Sequence, residues 1–272
     1  ITYLKCQIKM KYINNIFTVE KSKLTKVIKK FETPIFCYSE KKINENISNF
    51  KRSFKSFSPI ICFSTKSNCN IEILKLIKRS GLGADVVSKG ELMIALKAGI
   101  GPKKIVFSGV GKTRSELTYA INKNILLINT ESKSEILEIE NIAKSKNIEV
   151  DIGIRLNPNT DAKTLKQIST GRKENKFGIN EKTLIEVLKY IKGSKFLNLK
   201  CLSVHIGSQI LDHRPYQKMI NVLDKLIRKI DFNFEYIDLG GGMGIDYNKN
   251  NKKFNYKKYN QIIKKFLKKH KS

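Results

Sequence analysis

From Pro34 onward the chain alternates short apolar runs with stretches that are amphipathic at helical spacing, and this alternation limits its fold more than any other feature. Strands are predicted near 59–64, 83–87, 104–107, 125–129, 149–156, 198–205 and 235–240. Helices are predicted near 71–80, 89–98, 114–123, 132–146, 181–192, 215–230 and 256–270. Seven βα units in one run, with no linker-like break, imply a parallel sheet. Such a sheet can lie open and doubly wound, or curl into a (β/α)8 barrel. Polar residues stand at or just past nearly every strand end: Lys66, Asp85 with Ser88, Ser108, Asn129, Arg155 with Asn157, His205 with Ser208, and Gly240 to Gly242. A barrel gathers all those ends on one face, where sites are built; an open sheet uses chiefly its switch point. The expected fold is therefore an α/β, TIM-type (β/α)8 barrel lacking its last strand.

The segment before the repeats does not share them. Pro34-Ile-Phe-Cys-Tyr38 reads as a strand feeding a second domain, so residues 10–38 are assigned to a β domain and 39–272 to an incomplete barrel. Ile1 is not a natural initiator whereas Met10 is, and residues 1–9 read as upstream or vector-derived sequence.

With 272 residues and 40% hydrophobic content the chain can bury a real core. No apolar run is long enough to cross a bilayer. Cys6, Cys37, Cys62, Cys69 and Cys201 form no CxxC pair, which favours reduced thiols in a cytoplasmic protein over disulfides or a zinc site. Three scattered histidines supply no metal cluster. The formal charge of +29 suggests nucleic acid, but only seven of the 53 basic residues are Arg. Bidentate base and phosphate recognition draws on Arg. The lysines are dispersed on predicted helix faces and turns among many Asn and Ile residues, so the charge is read as solvated surface without a nucleic-acid partner.

Several short segments carry chemistry. Phe63-Ser-Thr-Lys66-Ser-Asn68 ends a strand on a lone lysine, with Asn70 placed to cap the next helix. A lysine half desolvated at a strand end favours its neutral amine, the form that attacks an aldehyde; the alternative is one more surface lysine. Asp238-Leu-Gly240-Gly-Gly-Met-Gly244 follows a strand, and such a loop can aim backbone N–H groups at a phosphate. A tight turn accounts for one of its glycines but poorly for three in succession. His205 can act as a base, a ligand or a flat stacking surface, or simply as a satisfied core histidine. Ser208, beside Gly207, suits a phosphate oxygen. Arg155 can bond an acidic oxygen or form a structural ion pair. The long polar stretch Asn157 to Gly178 suggests a lid or a subunit contact.

Taken in series, these segments resemble the diaminopimelate decarboxylases. The resemblance rests on Thr33–Ser39, Phe63–Asn68, Gly83-Ala-Asp85-Val-Val-Ser88 with Gly90-Glu91, Ile105–Thr113, Ser169-Thr-Gly with Glu174-Asn-Lys-Phe-Gly178, His205–Gln209 and Asp238–Gly242. It implies a fold-type III pyridoxal 5'-phosphate enzyme, a homodimer with a barrel and a β domain, which decarboxylates meso-diaminopimelate to L-lysine. It also implies roles. Lys66 matches the lysine that carries the cofactor, and His205 the histidine stacked on its ring. Ser208, Gly240, Gly241 and Gly242 match the phosphate cradle. Asp85 and Arg155 match polar residues beside the cofactor, and Lys176 lies in a loop that in relatives nears the partner subunit. Thr65 and Ser67 stand where the family has Ala, a small change in size.

Two family motifs are absent: Glu-Pro-Gly-Arg of the eighth strand and Cys-Glu-Ser-Gly-Asp of the C-terminal domain. The expectation is that these 272 residues alone are not a competent decarboxylase. Rival readings are a relative acting on ornithine, arginine, lysine or carboxynorspermidine, a non-catalytic pyridoxal-phosphate-binding barrel, and an inactive gene remnant.

Overall fold

The computed structural model describes residues 11–270 apart from 15, 21, 32, 163–168, 172–176 and 248–252. Residues 1–9 and Cys6 thus lie outside the described residues. The chain divides into two compact units, Ile1–Pro59 and Ile60–Ser272.

In the first unit, β1 (Lys11–Ile13), β2 (Ile16–Val19) and β3 (Ser22–Lys23) form a small antiparallel sheet, followed by α1 (Leu24–Ile28) and α2 (Glu40–Ser53). Ser39 starts α2 because its Oγ accepts the N–H of Lys42 at 3.0 Å and donates to Glu20 at 2.5 Å. The strand expected at Pro34–Tyr38 does not form. Pro34 has no N–H for a ladder, and the next residues run irregularly into the Ser39 cap. Helix α2 belongs to this compact unit, past the boundary at 38/39 that the sequence suggests.

The second unit contains all seven expected βα pairs. Its strands are β4 (Cys62–Ser64), β5 (Gly83–Val86), β6 (Ile105–Phe107), β7 (Leu127–Thr130), β8 (Val150–Leu156), β9 (Leu197–Val204) and β10 (Tyr236–Asp238). Its helices are α3 (Ile71–Arg79), α4 (Lys89–Lys97), α5 (Arg114–Asn122), α6 (Lys133–Lys146), α7 (Glu181–Lys192), α8 (Arg214–Ile227) and α9 (Tyr256–His270). All pairings are parallel and the strand order is sequential, without the reversal that defines a doubly wound sheet.

The sheet is strongly curled. Asn129 at the end of β7 donates to Asp238 at the end of β10 over 3.2 Å. In a flat sheet, strands three apart are separated by roughly 14 Å. Only a barrel-like curvature brings those side chains together. Seven strands of a (β/α)8 barrel are therefore present, with β4 and β10 at the edges.

Five of the seven helices of this unit are started by their own cap residues. Asn70, Ser88, Thr113, Ser132 and Asn180 cap α3 to α7 by accepting N–H groups of the first turn. The helices bury Leu74, Leu92, Leu117, Ile139 and Leu184 over strand residues such as Phe107, Ile152 and Ile154. Full burial of one such leucine stabilises by roughly 1.5–3 kcal/mol, and Leu74→Ala would cost about 2–5 kcal/mol. Lysine-rich α9 is amphipathic. It buries Tyr259, Ile263 and Phe266, and His270 bonds Asp224 of α8 at 2.8 Å.

Candidate active site

Every residue singled out at a strand end lies at the C-terminal rim of the curled sheet. Lys66 sits in a single 3-10 turn, Thr65–Ser67, directly after β4. The turn is fixed from both sides: Ser67 Oγ donates to Ser64 O at 2.7 Å, and Asn68 N–H donates to Thr65 O at 3.0 Å. Lys66 itself is exposed, not half desolvated as the sequence suggests, because the tight turn lifts it off the strand. Its charge nonetheless reaches Asp85 and His205.

Asp85, at the end of β5, is pushed up to about 6, first by burial and then by the neighbouring Asp238. The Ser108 hydroxyl and the charges of Lys66 and Arg155 partly offset this. His205 follows β9 and is pulled down to about 3 by burial and by the cations Arg155 and Lys66. It is a neutral ring at any physiological pH. The Gly241 N–H points at His205 Nδ1 over 3.4 Å, which places the ring proton on Nε2.

The glycine loop is shaped by close approach. At Gly240 (φ +66°) a Cβ would lie 2.6 Å from Val204 O and 2.8 Å from His205 Nδ1. At Gly242 (φ +91°) it would lie 1.9 Å from Gly207 O. Only glycine fits either place. Around Gly241 nothing lies within 4 Å of that position, so the loop opens there. Two of its N–H groups are engaged within the protein, Gly240 with Asp238 at 2.8 Å and Gly241 with His205. Tyr216 donates to Gly241 O at 2.8 Å and packs on Tyr259 at 4.8 Å, so α8 and α9 hold the loop from behind. Ser208 is half-buried in the adjoining turn.

Arg155 forms the ion pair that was one of its two sequence readings. Its Nη1 meets Glu131 at 2.8 Å, its Nη2 approaches His205 O at 3.5 Å, and its guanidinium lies 4.8 Å from the centre of the Phe177 ring. Ser88 serves as the α4 cap, and Asn157 accepts from the N–H of Asn159. The described parts of the long loop run beside the site: Ser169 pairs with Gly207, and Thr170 Oγ1 donates to His205 O at 2.8 Å. Lys176 lies outside the described residues.

Sequence reasoning missed the buried charges behind this rim. Glu131 bonds Arg155, and Lys112 bonds Glu135 at 2.6 Å while also donating to the carbonyls of Gly109 and Asn129. Asn129 donates to Ser108, Ser203 and Asp238 across the inner face of the sheet. One signal was visible: Ser132-Lys-Ser-Glu135 has capping-box spacing. Here Glu135 instead accepts the Glu131 N–H and the Lys112 ammonium. Among the described residues no group of His, Cys, Asp and Glu could hold a metal ion, and no helix is long and apolar enough to cross a membrane.

The chain belongs to the pyridoxal-dependent decarboxylase family, whose pyridoxal binding domain matches residues 40–272. It is 46% identical over 221 residues to a diaminopimelate decarboxylase of Helicobacter pylori, covering 80% of this chain and 54% of that protein. It is 38% identical over 244 residues to the Aquifex aeolicus diaminopimelate decarboxylase, covering 88% and 57%. The crystal structure of the Helicobacter pylori diaminopimelate decarboxylase complexed with L-lysine superposes with a TM-score of 0.86 at 41% identity, over 90% of this chain and 63% of that one. The chain thus spans little more than half the length of the curated relatives it matches.

Proposed function

We propose that this barrel binds pyridoxal 5'-phosphate and forms the cofactor half of a decarboxylase that converts meso-diaminopimelate to L-lysine. The observation that carries the reading is the convergence of Lys66, Asp85, Arg155, His205 and the glycine loop on one rim. An exposed amine stands beside a neutral flat ring and an open glycine-lined turn, a donor set that fits an aromatic aldehyde bearing a phosphate.

When bound, the cofactor would supply an electron sink for the carbanion left as CO₂ departs. Lys66 Nζ is the group that would hold it covalently. His205 offers an uncharged face for its ring, steadied by the Gly241 N–H. Ser208 and the backbone of Gly240, Gly241 and Gly242 would line its phosphate. Asp85, raised to about 6 by burial and within electrostatic reach of Lys66, would stand beside the cofactor as a carboxylate at neutral pH. Arg155 adds a fixed positive charge beside His205. The substrate assignment rests on the relatives named diaminopimelate decarboxylase at 46% and 38% identity. A homodimer and a cytoplasmic location follow from the same reading.

Borohydride reduction after incubation with pyridoxal phosphate, followed by peptide mapping, tests the assignment. The label should fall on Lys66 and vanish in Lys66→Ala. A label spread over many lysines and unchanged in that variant would sink it.

A further inference from the structure

Arg155 does not stand alone at the rim, and what holds it is a string of buried groups. Its Nη1 bonds Glu131 Oε1 at 2.8 Å, with the side chains only 9% and 4% exposed. The other oxygen, Glu131 Oε2, accepts the N–H of Gly178 at 2.8 Å. Gly178 follows Phe177, whose ring faces the guanidinium. One carboxylate therefore grips both the arginine and the end of the long loop that began at Asn157. Glu131 is held in turn. Its own N–H donates to Glu135 Oε2 at 2.9 Å, while Glu135 Oε1 takes the Lys112 ammonium at 2.6 Å. Strand β8, the β7–α6 turn, the first turn of α6 and the β6–α5 loop are thereby joined in one polar chain.

Burying two cations and two carboxylates is costly unless each is paired, and similar-volume apolar groups often serve stability as well or better. The retained charges call for a role in geometry. The free end of the chain is Arg155 Nη2, 3.5 Å from His205 O, beside the residue that presents its ring to the site.

We infer that Glu131 is a positioning residue: it fixes the Arg155 guanidinium in the cofactor site and locks the Phe177–Gly178 end of the long loop against it. This rests on the pyridoxal-phosphate reading for the ligand, though the clamp itself is a property of the unliganded chain. Glu131→Gln keeps the shape and can still accept from Gly178, yet removes the charge that holds Arg155.

Two measurements decide it. The first is a double-mutant cycle read as pyridoxal phosphate affinity, with the protein's absorbance titrated against free cofactor. Glu131→Gln should weaken binding about tenfold, about 1.4 kcal/mol. Once Arg155 is already Gln, adding Glu131→Gln should change nothing further. Losses that simply add would overturn the inference, since a merely structural Glu131 would act whether or not Arg155 is present. If Glu131→Gln does not fold, the same cycle runs with Glu131→Asp and Arg155→Lys. The second measurement needs no cofactor: the ¹⁵N spectrum of the Arg155 guanidinium in the unliganded protein. Slow rotation in the parent chain should become fast in Glu131→Gln, and unchanged rotation would also overturn the inference. If the parent chain takes no pyridoxal phosphate, the functional reading fails, and the spectrum alone still settles whether Glu131 holds Arg155.

Discussion

The two ends of the curled sheet treat charge in opposite ways. At the C-terminal rim the Lys112–Glu135 side chains keep 1% and 9% of their surface. Around the N-terminal ends, Lys103 reaches Asp151 at 4.0 Å with side chains 56% and 23% exposed, and Lys200 bridges Asp151 and Glu235 at 3.4 and 3.3 Å. Ion pairs left in water contribute little and can be rearranged freely. Buried ones are severe constraints, because removing one partner strands a charge. The formal charge of +29 is thus a poor guide to chemistry. Apart from the exposed Lys66, the informative charges are the few taken out of water at the rim.

Four substitutions can break or sharpen that contrast. The largest effect is expected at Lys112→Met, which leaves Glu135 facing the carbonyl-lined spot without a cation. Urea unfolding should show a loss of about 3–5 kcal/mol. A loss no greater than that of an exposed lysine would erase the distinction between the two ends.

Asp85→Asn should act with the opposite sign. A carboxyl raised from 3.8 to about 6 binds more protons folded than unfolded, so stability falls as pH rises from about 4 to about 6 and is flat above. Removing the charge should therefore stabilise the unliganded chain at pH 7 by at most about 3 kcal/mol, with the gain shrinking to nothing near pH 4. Equal gains at pH 4 and pH 7 would rule out burial of charge as the cause.

Asp224 of α8, bonded to the end of α9, shows the ordinary case. Lys269 first, then His270 and Arg228, hold it at about 2, below the usual 3.8. Its contribution is present above about pH 4 and is lost as pH falls toward 2. Asp224→Asn should cost about 1 kcal/mol at pH 7, allowing for screening by solvent, and the cost should fade in acid. The smallest effect is expected at Lys103→Met, within about 0.5 kcal/mol. A larger loss would mean that the N-terminal ends are also built on constrained charge.

Much of this architecture is legible in the residues. The βα alternation locates every strand and helix of the second unit, because burial on both faces of a parallel strand leaves a continuous apolar run. The rim positions of Lys66, Asp85, Arg155 and His205 follow from their places after those runs. The misses have physical reasons. Pro34–Tyr38 has strand-like composition, but a strand needs a partner, and composition does not show whether one exists. Lys66 was expected to be half-buried, and only the geometry of its turn shows it exposed. Glu131 and Lys112 look in sequence like any other charges of a lysine-rich surface. What separates them is desolvation, which arises when β6, β7 and β8 are brought side by side.

The Asn129 amide that reaches across the inner face has a consequence in time. Its bond to Asp238 joins residues 109 positions apart. At synthesis rates of roughly 5–20 residues per second, Asn129 is made roughly 5–20 s before its partner. Until then the early βα units can pack their helices, but the polar floor of the rim cannot close. The polar floor of the rim thus depends on the last strand made, β10, and nothing the first six strands supply can replace it.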